Sequence, residues 1–179
     1  MQIMRTAQPR DAASIAALVN SANSGSGVAP GWTHEAALFD GDRTSAAEIL
    51  QLMQMPDARF VLCIDGGEIL GACYLKTIDD AGYMGLLAVR PALQARGIGK
   101  QLIGECERVV QDDWRKTRML IAVITTHRPE LTAFYERRGY ARTGRYKEFE
   151  RKKAQDSAKV AGLSLEWMEK TVGTVPDAR

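Results

Sequence analysis

The 179-residue sequence predicts an α/β fold, a central mixed and mostly antiparallel sheet flanked by about four helices. Three observations predict it. Strand-like and helix-like periodicities alternate along the chain instead of segregating into halves. Residues 60–64 and 69–75 are apolar runs joined by Asp65-Gly66-Gly67-Glu68, the signature of a hairpin. A strand, a glycine loop and an amphipathic helix then follow one another over residues 82–110, and the continuous apolar run 119–124 has the length of a central strand.

Taken in order, residues 2–7 read as the first strand. Pro9-Arg10-Asp11 opens a helix, with Asp11 as its N-cap and Ile15, Leu18 and Val19 on its buried side. The stretch 20–30, rich in Ser, Gly and Asn, reads as a loop. The next helix is capped by Thr44 or Ser45, with Glu48 in the capping-box position. It buries Ile49, Leu52 and Met53 and stops near Pro56. After the hairpin comes the strand 82–89 and then the loop holding Gly97 and Gly99. In the helix that follows, Leu102, Ile103, Cys106, Val109 and Val110 fall on one face. Pro129 sits where a further helix begins, Leu131, Phe134, Tyr135 and Arg138 mark one side of it, and Gly139 ends it. Residues 140–143 form another strand, 144–161 a polar loop or arm, and 162–169 alternate as a last strand. Residues 1–172 thus read as a single domain and 173–179 as a flexible tail.

Composition narrows the function. Hydrophobic content of 45% and charged content of 26% suit a globular domain. A net charge of +2 and a pI of about 8.5 are too mild to call for nucleic acid or a membrane surface. No apolar run approaches the roughly 20 residues that span a bilayer, and the first residues lack the apolar stretch of a signal peptide. A cytoplasmic location is the expectation. Cys63, Cys73 and Cys106 are odd in number and without metal-ligand spacing, so neither a disulfide framework nor a metal site is expected. Cys106 reads as a small core residue.

Residues 86–100 carry the chemistry. Glycines before a helix let a ligand approach the backbone, and the free N–H groups of a helix start favour anions. Arg96 and Lys100 add positive charge, so the stretch reads as a phosphate or pyrophosphate cradle. It is not a Walker A loop, because Gln94 and Gln101 stand where that loop needs Gly and Ser or Thr. Nor is it the dinucleotide fingerprint, whose third Gly is replaced by Leu102. What remains is Gln94-x-x-Gly97-x-Gly99 behind Val89-Arg90-Pro91, which resembles the Gln/Arg-x-x-Gly-x-Gly/Ala signature of the GCN5-related N-acetyltransferases (GNAT). A second segment agrees. Tyr135-Glu136 followed by Gly139-Tyr140 resembles that family's later helix, one buried strand downstream, and the element order matches over essentially the whole chain.

The resemblance implies a GNAT fold and an acetyl-CoA-dependent N-acetyltransferase that passes an acetyl group directly to an amine of a small molecule, peptide or protein. Acetyl-CoA is then the acetyl donor, with no metal. It would lie between the strand ending near Val89 and the strand 119–124. Backbone groups of Leu87, Ala88 and Val89 would pair with the pantetheine arm, and an N–H near Leu87 or Ala88 would receive the oxyanion. Gln94, Ala95, Arg96, Gly97, Ile98, Gly99 and Lys100 would wrap the pyrophosphate. Tyr135 would sit near the thioester sulfur and give a proton to the departing thiolate; the alternative for Tyr135 is a core aromatic at helical spacing from Leu131.

The chain departs from the family pattern in two places. The Glu that some members carry four residues ahead of the Val, as general base, is Gly85 here, leaving Tyr83, Glu35, Asp40 or Glu148 as candidates. The Asn that members often carry seven residues before the Tyr is Arg128, with His127 beside it. His127 and His34 read as surface and loop histidines. The acceptor site is expected from the first two helices, the loop with Trp32, Glu35, Phe39, Asp40 and Asp42, and the arm; acidic residues beside aromatics suit a cationic amine. The basic cluster Arg137, Arg138, Arg142, Arg145, Lys147, Arg151, Lys152 and Lys153 reads as a solvated face because Glu136, Glu148 and Glu150 interleave it. The missing Glu keeps a second reading open, a non-catalytic acyl-CoA-binding sensor or partner module. A nucleic-acid adaptor is disfavoured by the small net charge, and homodimerisation through the last strands is an analogy with the family alone.

Overall fold

The structure of the protein is a computed structural model that describes residues 1–24, 42–125, 128–147 and 163–173. The expectations for Trp32, His34, Glu35, Phe39, Asp40, His127, Glu148, Glu150, Arg151, Lys152 and Lys153, and for the tail beyond Gly173, fall outside these residues. One seven-stranded sheet forms the body. Its strands are β1 (Ile3–Thr6), β2 (Ala58–Asp65), β3 (Glu68–Ile78), β4 (Ala81–Val89), β5 (Arg118–Val123), β6 (Ala141–Lys147) and β7 (Leu165–Thr171). They lie in the order β1-β2-β3-β4-β5-β7-β6. Every neighbouring pair is antiparallel except β4 and β5, which run parallel. The helices are α1 (Ala12–Ser24), α2 (Ala46–Met53), α3 (Ile98–Arg108) and α4 (Pro129–Glu136). The described residues form the predicted mixed sheet with four α-helices.

Strand alternation explains the two layers of core. Phe60, Leu62, Ala72 and Tyr74 point to the face covered by α1 and α2, where Ile15, Val19 and Ile49 are fully buried. Val61, Cys63, Cys73 and Leu75 point to the other face, where α3 lays Ile98, Leu102 and Cys106, and the π-helical turn Val109–Asp113 that continues it lays Val110, against Met119, Ile121 and Met168. The α3 stripe is the one the sequence predicts. Gly82 lets that turn come this close, since a Cβ there would collide with Val110. No helix among the described residues is long and apolar enough to cross a membrane.

Three expectations are corrected. Asp11 does not cap the first helix: a 3-10 turn, Pro9–Asp11, precedes α1 with Gln8 at the N-cap. The Gln8 N–H donates to the Asp11 carboxylate at 2.7 Å, and the Arg5 guanidinium grips the same carboxylate at 2.7 and 2.9 Å. The loop expected from residue 20 begins later, because α1 continues to Ser24. There Ala22 is buried, and the Asn20 amide exchanges hydrogen bonds with the backbone of Thr44 at 2.9 and 3.0 Å, so tertiary contact overrides local preference. The strand expected over residues 140–143 runs on to Lys147. Ser45 and Glu48 do form the capping box of α2.

Candidate functional site

The site begins with a break in β4. Ala72 pairs with Ala88, and Tyr74 pairs with Gly85, so Cys73 alone faces both Leu86 and Leu87. That is a β-bulge. The core packing carries its mark: Tyr83 and Ala88, five residues apart, lie on the α1/α2 face, while Met84 and Val89 lie on the α3 face. Leu86 takes a φ of +48°, rare for a residue with a side chain. The Cys73 thiol donates to the Gly85 carbonyl at 3.5 Å beside the bulge.

The bulge sets up a cleft. β4 and β5 pair over only Ala81–Tyr83 and Arg118–Leu120, and then part, although β4 continues to Val89 and β5 to Val123. Between them opens a cavity of about 160 Å³. It is lined by residues 83–88, by residues 121–124, and by Val19 and Asn23 of α1. From α4 come Leu131 and Tyr135, with Arg128 just before the helix, a 3- and 4-residue spacing that puts all three on one face.

Tyr135 is 7% exposed and packs edge-on against Phe134 and Tyr140, with ring centroids 5.2 and 5.7 Å apart. Burial pushes its phenol well above the ordinary tyrosine value, so the hydroxyl keeps its proton at neutral pH. Such a group donates a hydrogen bond or a proton and is unsuited to be a base.

A second cavity, about 250 Å³, lies at the end of β4 against the glycine loop. It is lined by Val89, Gln94, Ala95, Gly97, Ile98, Gly99 and Lys100, and by Phe134 and Arg138 from the α4 side. Gly97 is the N-cap of α3 at φ +84°, a left-handed conformation that costs a residue with a Cβ. No side chain caps this helix, so the N–H groups of Ile98, Gly99 and Lys100 in its first turn have no helical carbonyl to meet and face the loop. Orphan donors of this kind form a cradle for phosphate oxygens.

Leu87, Ala88 and Tyr135 thus meet in the first cavity, and Val89, Gln94, Ala95, Gly97, Ile98, Gly99 and Lys100 in the second. Arg96 is exposed and lines neither. Arg138 is the residue that the reading of a solvated basic face passes over. Its guanidinium stacks 3.4 Å from the centroid of the Phe134 ring and donates to the Phe134 carbonyl at 2.7 Å, while its Nε is buried without a partner. Burial makes its charge less comfortable, lowering its pKa. The signal was its spacing of four from Phe134. Arg142 and Arg145, by contrast, are tied to Glu166 and Glu169. At the other end, a Cβ on Gly85 would sit 3.1 Å from the Tyr83 hydroxyl, so the phenol of Tyr83 fills the space beside the position of the absent Glu. Tyr83 is held edge-on to Trp167 at 5.7 Å.

Comparisons with known proteins bear on this geometry. Residues 31–140 match the model of the acetyltransferase (GNAT) family. Among solved structures, the chain is similar to an acetyltransferase of the GNAT family from Staphylococcus aureus, at 11% identity and a TM-score of 0.71, covering 97% of this chain and 100% of that one. It is similar to the PaiA N-acetyltransferase of Thermoplasma acidophilum in complex with coenzyme A, at 16% identity and a TM-score of 0.71, covering 96% and 99%. A protein from Salmonella typhimurium solved with its cofactor acetyl-CoA matches at 16% identity and a TM-score of 0.66, covering 96% and 94%. No curated protein matches the chain.

Proposed function

Because the chain belongs to the GNAT family of acetyltransferases, we propose that it is an acetyl-CoA-dependent N-acetyltransferase acting directly on an amine. The observation that carries the reading is the parting of β4 and β5 after three rungs, with Tyr135 in one wall and the glycine loop at its end. Structural neighbours solved with coenzyme A and acetyl-CoA support the same donor.

The residues fit that donor. The orphan N–H groups at the start of α3, with Lys100 and Arg138 beside them, suit a pyrophosphate. The edge of β4 beyond Tyr83, with no described strand beside it, suits an extended amide-bearing arm that adds to the sheet as a strand would. When bound, acetyl-CoA supplies an acyl carbon whose C–S bond breaks as the C–N bond forms, the thiolate leaving with one proton. In this reading the backbone near Leu87 and Ala88 offers an N–H to the charge that develops on the carbonyl oxygen. Tyr135, a phenol that is protonated at neutral pH and held so by burial, gives its proton to the sulfur. Tyr83, in the space beside Gly85, relays the proton lost by the amine through water.

The test is to incubate the protein with acetyl-CoA and a panel of amines and to follow free thiol release. Turnover with at least one amine is expected. Acetyl-CoA binding without turnover across a broad panel favours the non-catalytic acyl-CoA sensor that the missing Glu at Gly85 keeps open.

A further inference from the structure

Tyr83 reaches the cleft from a strip of side chains on one face of the sheet. In the register of β3 with β4, Lys76 stands directly opposite Tyr83, so the two side chains are neighbours on that face. The Lys76 Nζ lies 5.6 Å from the centroid of the Tyr83 ring. Trp167 of β7 meets the same ring edge-on, 5.7 Å away, leaning across β5 where its partner is the small Ala122. Lys147 of β6 stands in turn 6.0 Å from the Trp167 ring. Lys76 is half-buried, and no carboxylate pairs with it among the described residues. From the other elements around the cavity, Asn23, Arg43, Arg128 and Tyr135 face the same space. Arg43 and Arg128 are cations and burial pushes the Tyr135 phenol up, which leaves Tyr83 as the proton acceptor among the described lining residues.

Resting on the acetyl-transfer reading, we propose that Lys76 is a positioning residue for Tyr83: its ammonium, held over the ring, favours the phenolate that takes the proton of the attacking amine. The proton leaves the nitrogen as the C–N bond forms, crosses one water and ends on the Tyr83 oxygen. That oxygen accepts it only as the anion, whose charge spreads over the ring that Lys76 faces. Trp167 keeps the ring from turning away. Cation and phenol together then take the place of the carboxylate missing at Gly85.

The experiment titrates the phenol of Tyr83 directly, without substrates, by the ultraviolet absorbance of tyrosinate. Subtracting Tyr83→Phe from the wild type isolates this group, and burial holds Tyr74, Tyr135 and Tyr140 to higher pH. Lys76→Met, which keeps the apolar stem, should move the Tyr83 titration up by about one pH unit, and Lys76→Arg should restore it. In turnover, the rising limb of kcat/KM should move by the same amount, read with an amine that is already neutral across the pH range. At neutral pH this is a loss of about tenfold, which disappears above the Tyr83 titration, while the KM for acetyl-CoA moves less than about twofold. An unmoved Tyr83 titration in Lys76→Met overturns the proposal. So does a loss of activity that is the same at every pH, the mark of a residue that only supports the fold. If no amine is turned over by the wild type, acetyl transfer fails, and the substrate-free titration still decides whether Lys76 acts on Tyr83.

Discussion

Tyr135 illustrates how burial assigns a chemical role. A phenol in water is a weak acid that is protonated at pH 7 in any case; burial raises its pKa further and removes the option of base catalysis. Tyr135→Phe keeps the ring that packs against Phe134 and Tyr140, so the fold and acetyl-CoA affinity should stay within about twofold while kcat falls about 100-fold. Steady-state kinetics with a separate binding measurement checks this, and an unchanged kcat would remove Tyr135 from the mechanism. Asp11 has the opposite shift and a structural task. The hydrogen bond from Arg5, against the opposing effect of burial and with help from the Gln8 N–H, holds its carboxyl below the ordinary value. The folded state therefore binds this proton more weakly than the unfolded chain. The resulting stability is fully present above the unfolded carboxyl pKa, about 3.9, and is lost as pH falls through the lower folded value. Asp11→Asn should cost about 1–2 kcal/mol at pH 7, and the gap should narrow as pH falls below the unfolded carboxyl value. Urea melts at pH 7, 4 and 3 test it, and a gap independent of pH would mean that the charge on Asp11 contributes little.

At the level of elements, what was legible in the sequence is what periodicity encodes. The α3 stripe, the Gly66-Gly67 hairpin and the buried β5 run each follow from side chains that must leave water, and the structure forms all three. The β4 bulge was not legible, because Leu86 and Leu87 are both apolar and either fits either face; the pairing with β3, a long-range fact, decides where the alternation slips. For the same reason the positions of the site residues came from motif resemblance, while the cleft that gathers Leu87, Ala88 and Tyr135 comes from the bulge. Helix α4 divides its work by spacing: Leu131 and Tyr135 face one cavity, and Phe134, with Arg138 four residues on, faces the other. Arg138→Met should therefore weaken acetyl-CoA binding about tenfold, the value of one charge-assisted phosphate contact. The same variant should use S-acetylpantetheine, which has the arm and no phosphates, as well as the wild type does. An equal loss with both donors would place Arg138 in the fold and not at the phosphates.

The whole molecule is two sheet segments meeting at a short seam. β1 to β4 form one antiparallel block, β5, β7 and β6 form another, and only three rungs of parallel pairing join them along the sheet. α3 and the α4 region reinforce the joint through the core under Met84, Met119, Tyr135 and Met168. A ligand lying in the cleft touches both blocks, so its binding free energy should bear on their cohesion as well as on local contacts. Acetyl-CoA at about 100 times its dissociation constant should add about 2.7 kcal/mol to global stability. In hydrogen exchange this predicts slower exchange at the ends of β4, the start of α3 and α4, along β5, which lines the cleft, and also along β7, which pairs with β5. Without ligand, amides of β5 should exchange at lower free energy than those of β3, since β3 has long antiparallel partners on both edges and β5 has a three-rung parallel seam on one of its two. With ligand the two blocks should converge. Protection confined to the glycine loop and α3 would show instead that the donor is held by its phosphates alone, and that the cleft between β4 and β5 does not receive its arm.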